Sequence, residues 1–149
     1  MTEKILTFYL GECLLGINLK LAKEINRSIR YTPVPGAKPH IIGFFNMRGQ
    51  VVTLFDLARL LGINRANERE GLACIILKSP KDPDQVGFLI DRPGDVIEAD
   101  MEEYELPPAN IGVVEAEFIE SIVKLKEELL IVISPDRIIS KQYTTRVNQ

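Results

Sequence analysis

Few side chains in this sequence belong to the types that perform chemistry, and their spacing matches no catalytic or metal-binding motif. The 149 residues include one histidine, His40, and two cysteines, Cys13 and Cys74. A Ser-His-Asp or Cys-His arrangement would need that histidine, but its place directly after Pro39 favours a surface or packing role. The sequence contains no HExxH motif, no short cysteine pair and no glycine-rich phosphate loop. It therefore predicts no catalytic residue, no metal and no cofactor.

Two aspartates supply the remaining candidates for chemistry. Asp56 and Asp91 each follow an apolar run, and together with His40 they could serve a small β-barrel enzyme or a ligand-binding protein. Simpler roles also fit, with Asp56 as the cap of a helix and Asp91 as a turn residue. A pocket shared by the two carboxylates and the imidazole would separate these alternatives. By elimination, the sequence favours a non-enzymatic binding or coupling role.

The composition is that of an ordinary globular protein, and it has no feature that favours binding to nucleic acid or to a membrane. Hydrophobic residues make up 46% and charged residues 26%, which suits one domain or two small lobes that share a core. The net charge is −3 and the basic residues are scattered, whereas phosphate binding needs them clustered. No apolar run approaches the roughly 20 residues that span a bilayer, and the first residues lack the features of a signal peptide. We expect a cytoplasmic protein with free thiols at Cys13 and Cys74.

The elements that would position the candidate residues are clearest between residues 40 and 62. Two runs rich in β-branched and aromatic residues flank a short polar break with a glycine, which predicts two antiparallel strands and a tight turn. An aspartate then caps a short helix, and a glycine ends it in the left-handed conformation. The predicted strand, turn, strand, cap, helix and stop lie at Ile41–Met47, 48–50, Val51–Phe55, Asp56, Leu57–Leu61 and Gly62.

Alternating or continuous apolar runs predict further extended segments in the rest of the chain. These segments are Leu6–Leu10, Leu14–Ile17, Ile25–Tyr31, Leu72–Leu77, Val86–Ile90 and Leu129–Ile133. The run Phe118–Leu125 fits a strand or a helix, and its place beside Leu129–Ile133 favours the strand. Asn18 predicts the cap of a short helix over Leu19–Glu24, and Ser134-Pro135 predicts the start of a final helix over 135–142. Residues 91–95 are expected to break the preceding strand. The acidic run at 98–105 is expected to form a solvated loop or helix face.

The predicted elements favour a mainly β fold. About nine strands, mostly in hairpins and separated by turns rich in proline and glycine, are typical of small barrels. We expect one domain with two barrels side by side, formed by a first lobe at about 4–62 and a second lobe at about 72–133. A polar connector at 63–71 would join the lobes, and the helix at 135–142 would follow.

Two charged residues, Glu24 and Arg48, lie beside apolar strands. A charge left without a partner close to a core is costly. We therefore predict that the two side chains pair with each other or with nearby backbone carbonyls. The alternative is that both are independently solvated.

The string Gly43-x-x-Asn46-x-Arg48-Gly49, followed by an apolar strand and Asp56-Leu57, resembles the CheW-like domain. Other matching pieces follow in the same order along nearly the whole chain, at 8–11, 16–17, 24–25, 33–35, 87–91 and 129–133. The resemblance implies two five-stranded SH3-like β-barrels packed side by side around a shared apolar core, with short helices. It also implies a non-enzymatic adaptor that couples bacterial chemoreceptors to the histidine kinase CheA.

The resemblance implies two partner surfaces. One would bind the cytoplasmic hairpin tip of methyl-accepting chemoreceptors, through positions that match Ala22, Glu24, Gly43, Asn46, Arg48 and Gly49. The other would bind the regulatory domain of a CheA-type kinase, through positions that match Asp91, Pro93 and Val96. The protein would then be cytoplasmic and recruited to membrane-associated receptor arrays.

Three departures from the family pattern indicate a divergent member. Pro93 replaces the last residue of Val-Asp-x-Val, Thr53 replaces a proline, and Ile133-Ser134 replaces Leu-Asp. A proline fixes φ and removes a donor, so the edge at Pro93 is expected to be remodelled. The alternatives of a non-flagellar chemosensory pathway, such as surface motility, and of a free-standing regulator that titrates the kinase remain open on sequence alone.

Overall fold

The computed structural model describes residues 2–27, 29–63, 72–78, 85–100 and 116–147, and it confirms the predicted mainly β fold. Its strands are β1 (Thr2–Leu10), β2 (Cys13–Asn18), β3 (Ala22–Asn26), β4 (Ile41–Met47), β5 (Gln50–Asp56), β6 (Ala73–Leu77), β7 (Gln85–Ile90), β8 (Arg92–Asp100), β9 (Ile119–Lys124) and β10 (Leu129–Ile133). Its helices are α1 (Leu57–Leu61), α2 (Pro135–Val147) and two 3-10 helices, at Leu19–Leu21 and Ala116–Phe118.

The strands form two five-stranded sheets. The first sheet has the order β8-β1-β2-β10-β9, and the second has the order β3-β6-β7-β5-β4. Each sheet contains one parallel pair, β2 with β10 in the first and β5 with β7 in the second. The other pairs are antiparallel.

The sheets do not follow the predicted boundaries at 4–62 and 72–133. The first sheet combines β1 and β2 with β8, β9 and β10, while β6 and β7 belong to the second sheet. Turn residues predict which strands form hairpins, but they carry no information about the two parallel pairs. Parallel strands need a long crossover. The antiparallel pairs β1–β8 and β3–β6 also join strands from the two predicted lobes.

Two local predictions are wrong in their extent and share a cause. The segment predicted as a helix over Leu19–Glu24 forms only the 3-10 turn, capped by Asn18 as expected, and continues as β3. The preceding strand ends at Ile90 as expected, but the break is limited to Asp91. β8 begins at Arg92 and includes Glu98 and Asp100 of the acidic run. In both places cross-strand pairing overrides a short local signal. Pro93 is accommodated because β8 is an edge strand.

The hairpin and its helix match the prediction closely. Asp56 Oδ1 accepts a hydrogen bond from Arg59 N at 3.3 Å, and Gly62 ends α1 with φ of +74°. The last helix begins at Pro135 as predicted, with Ser134 Oγ accepting from Arg137 N at 3.3 Å, and it extends past 142. The predicted connector from 64 onward and the part of the acidic run at 101–105 lie outside the described residues.

Three apolar clusters stabilise this arrangement. One consists of side chains of the first sheet, around Ile5 and Leu130. Another consists of side chains of the second sheet, around Leu54 and Ile76. The third and largest lies between the sheets, where Phe8 of β1 is buried in the same cluster as side chains of β5, β6 and β7. Cys13 and Cys74 are free thiols, as predicted.

Candidate functional site

The hairpin tip, residues 46–50, is a tight two-residue turn between β4 and β5. Met47 pairs with Gln50, and the residues between them both have positive φ, +54° at Arg48 and +83° at Gly49. Positive φ at both central positions is the type I′ geometry, whose twist matches that of the strands. Asn46 Oδ1 accepts a hydrogen bond from Gly49 N at 2.9 Å. Asn46 and Gly49, predicted as partner contacts, therefore also build the turn.

Arg48 occupies an unfavourable backbone conformation. Among the described residues other than glycine it is the one with positive φ, and the left-handed region costs an L-residue roughly 1–2 kcal/mol. Asparagine or glycine would satisfy this position at lower cost. The strain presents a long cation at the apex of the hairpin, where the Arg48 side chain is 73% exposed. Such strain at an exposed cation points to a functional position.

Glu24 and Arg48 form the predicted ion pair. Arg48 Nη2 lies 3.2 Å from Glu24 Oε2, and Glu24 comes from β3. Because β3 and β4 are the two edge strands of the second sheet, the pair spans the seam where that sheet curls on itself. An exposed pair of this kind contributes about 0.2–1 kcal/mol, so it orients Arg48 more than it stabilises the fold.

Gly43 lies along the same seam and has a structural role. Thr32 and Phe44 exchange backbone hydrogen bonds of 2.7 and 3.0 Å, which join the segment after β3 to β4. A Cβ at Gly43 would lie 2.4 Å from Thr32 O, closer than any side chain tolerates. Ala22, at the start of β3 opposite Leu77, packs half-buried against the large cluster between the sheets. Glu24, Asn46, Arg48 and Gly49 therefore meet at the tip, whereas Gly43 and Ala22 lie apart from it, at the seam and against the large cluster.

Sequence reasoning missed an apolar surface beside the tip. Phe44 and Val51 are 39% and 55% exposed, and Val51 pairs directly with Asn46 while Phe44 pairs with Thr53. Paired residues share a sheet face, so the two apolar side chains flank Asn46 on the outer face of the hairpin. The alternation with buried Phe45 and Met47 is the signal that could have revealed it.

The second predicted surface lies at the start of β8. Asp91 Oδ2 accepts from Gly11 N at 2.6 Å, and Asp91 N donates to Tyr9 O at 3.1 Å. Pro93 is paired with Phe8 and the exposed Val96 with Leu6, so all three predicted residues lie along β1. The β1–β8 pairing has a register shift between Leu6 and Phe8.

The start of β8 is further anchored by two contacts. The Arg92 guanidinium carbon lies 4.3 Å from the centre of the Tyr9 ring, a cation–π contact. Thr7 Oγ1 donates to Asp95 O at 2.6 Å. The edge is therefore attached by the buried Thr7 and the half-buried Asp91, as well as by the exposed Arg92.

The candidate residues for catalysis make separate structural contacts. The His40 ring stacks on Phe55 with centroids 5.9 Å apart, and burial, with Lys38 and Arg59 nearby, lowers the pKa of His40. Asp56 caps α1, while Asp91 binds the backbone of the turn between β1 and β2.

A cavity of about 450 Å³ contains neither these aspartates nor the histidine. Its lining residues are Thr2, Glu3, Lys4, Asn18, Leu19, Lys20 and Lys78. Within the described ranges no group of three or more His, Cys, Asp or Glu residues is arranged to hold a metal ion. In that same part of the chain, no helix has the length and hydropathy needed to cross a membrane.

Comparison with known proteins gives one consistent result. A chemotaxis protein CheW from Treponema pallidum is 29% identical over 142 residues, covering 93% of this chain and 83% of the relative. The chemotaxis protein CheW of Bacillus subtilis is also 29% identical, over 140 residues, covering 94% and 88%. The crystal structure of the scaffolding protein TtCheW from Thermoanaerobacter tengcongensis superimposes with a TM-score of 0.81 at 27% identity, covering 91% of this chain and 86% of that one.

The family model described as the CheW-like domain matches residues 4–143. The match includes both sheets, the hairpin tip and the start of β8. The chain belongs to the CheW-like domain family.

Proposed function

We propose that this protein is a non-enzymatic scaffold that couples chemoreceptors to a CheA-type histidine kinase in bacterial chemosensory signalling. The observation that carries the proposal is the hairpin tip, where a strained and exposed Arg48 is presented beside an apolar face. Family membership and the likeness to a scaffolding protein support it. The protein would act in the cytoplasm, at membrane-associated receptor arrays.

The hairpin tip suits the cytoplasmic hairpin of a methyl-accepting chemoreceptor. An amphipathic helix is recognised when its apolar stripe meets an apolar surface and charges at the rim set its register. Phe44 and Val51 supply the apolar surface, and Arg48 with Glu24 supplies the charged rim. Modest affinity is sufficient for such a contact, because an array raises the effective concentration of each partner.

The start of β8 suits the regulatory domain of the kinase. Val96 is an exposed apolar residue on an edge strand, between Arg92 and Glu98, which are also exposed. It belongs to the first sheet, whereas the hairpin tip belongs to the second. Two partners could therefore bind at the same time, as a coupling protein requires.

Arg48→Asn tests the receptor surface. Asparagine tolerates the left-handed conformation, so the turn is retained while the guanidinium is lost. We expect binding to a receptor cytoplasmic hairpin fragment to weaken about tenfold or more, the value of one hydrogen bond to a charged group. The melting temperature should stay unchanged or rise, because asparagine relieves the backbone strain, and kinase binding should not change. Calorimetry with each purified partner and a thermal melt would measure these effects.

Arg59→Ala, an exposed arginine on α1, is the matched control and should bind both partners normally. Wild-type protein that binds neither the receptor fragment nor the kinase regulatory domain would contradict the proposed function. Normal receptor binding by Arg48→Asn would remove Arg48 from the surface.

A further inference from the structure

The hairpin tip lies next to the first described pair between β5 and β7. Among the described residues, the β5–β7 ladder begins at the pair Val52 with Gln85, and β5 continues from Val52 through Val51 and Gln50 to the turn. On the β3 side, Glu24 contacts the turn through Arg48. On the β7 side, the contact is made by the side chain of Gln85.

Gln85 contacts the base of the turn. Its Nε2 donates to Oε1 of Gln50, the residue that closes the turn by pairing with Met47. Gln85 is only 8% exposed, although Gln50 is exposed. A buried side chain of β7 thus reaches an exposed residue two positions from Arg48.

The stability of the fold does not explain why residue 85 carries a carboxamide. Within the described part of the chain, its Oε1 is buried and has no hydrogen-bond partner. A buried polar atom without a partner costs about 1–3 kcal/mol, more than a typical hydrogen bond returns. An apolar side chain of the same length would fill this place at lower free energy. A buried polar group that costs stability calls for a reason other than stability.

We propose that Gln85 is a positioning residue for the partner-binding tip. Gln85 contacts the turn from the β7 side and Glu24 contacts it from the β3 side, so that Arg48 is presented in one orientation. Gln85 acts through Gln50 and does not itself reach the partner, because it is buried. This inference rests on the proposed function, in which the tip binds the receptor hairpin.

Gln85→Met tests this role because methionine has a similar length and fits irregular apolar space. We expect the melting temperature to be unchanged or higher, since the unpartnered oxygen is removed. Receptor-fragment binding should weaken about three- to tenfold, the value of one hydrogen bond, and kinase binding should not change. Hydrogen exchange at the Gly49 amide should become faster, because the turn it closes is less restrained.

A double-mutant cycle with Gln50→Ala separates positioning from a general structural effect. If Gln85 acts through Gln50, then Gln85→Met should cause no further loss of receptor binding in the Gln50→Ala background. Additive losses would overturn the inference, as would wild-type receptor affinity and Gly49 exchange in Gln85→Met. Wild-type protein that does not bind the receptor fragment would instead overturn the proposed function, and with it this role for Gln85.

Discussion

The hairpin tip and the start of β8 both lie at sheet edges, but they are built in opposite ways. The tip presents exposed side chains at its apex, where Arg48 pairs with Glu24 and Asn46 bonds to Gly49, and one buried side chain, Gln85, contacts its base. The start of β8 is held by half-buried contacts to the backbone, such as Asp91 to Gly11. Substitutions at the tip should therefore change binding with little effect on stability. Substitutions near β8 should change both.

The seam beneath the tip is the exception, and it should give the largest effect. Gly43→Ala would place a Cβ 2.4 Å from Thr32 O, and forcing the two segments apart should cost about 2–3 kcal/mol. We expect a lower midpoint in chemical denaturation and weaker receptor binding. Unchanged stability would mean that the seam is looser than its hydrogen bonds indicate.

A smaller loss is expected at the β8 edge from Thr7→Val. The shape of the side chain is kept, but Asp95 O loses its donor at 2.6 Å, which should cost about 1 kcal/mol. Kinase binding should weaken while receptor binding is retained. Thr53→Val, on the outer face of β5, is the control and should change stability by less than about 0.5 kcal/mol. If Thr7→Val weakened kinase binding and receptor binding equally, the two surfaces would not be independent.

The smallest expected effect is on the labelling rates of the two cysteines. Cys13 lies in the first sheet and Cys74 in the second, so each rate reports on one sheet. Burial raises the pKa of Cys74 to about 12, and burial together with Glu12 raises the pKa of Cys13. Because only the thiolate reacts, labelling at pH 8 should be slow at both and slower at Cys74, and it should accelerate as pH rises. Mass spectrometry after alkylation would measure the rates. Gly43→Ala should speed labelling at Cys74 more than at Cys13, and the reverse order would contradict the assignment of Gly43 to the second sheet.

The sequence predicts a structural feature well when the residues that cause it are close to it in the chain. Asp56, Gly62 and Ser134-Pro135 act on their own neighbours, so the caps and stops were predicted correctly. The Glu24–Arg48 pair was one of two alternatives that the sequence left open. The cost of a buried charge does not explain it, because Arg48 is exposed. Pro93 shows where local rules fail. A local rule treats proline as a break in a strand, but β8 is an edge strand, which tolerates it, and that follows only from the sheet order.

The remaining features depend on contacts distant in sequence. The role of Gly43 follows from the approach of Thr32, and that of Gln85 from its contact with Gln50. Neither residue carries a sequence signal of its own: one is a glycine in a strand and the other is a glutamine beside a loop. The parallel pairs β2–β10 and β5–β7 were missed for the same reason.

The interleaved strand order has a consequence for how the chain acquires its structure. All strands of the second sheet lie between Ala22 and Ile90, whereas the first sheet joins β1 and β2 to β9 and β10. Distant pairings are slow to form because the closure of long loops must come first. During synthesis, the second sheet can assemble before β9 and β10, the last neighbours of β1 and β2 in the chain, have been made. The apolar side chains of β1 would be exposed in that interval, so misassembly would begin in the first sheet.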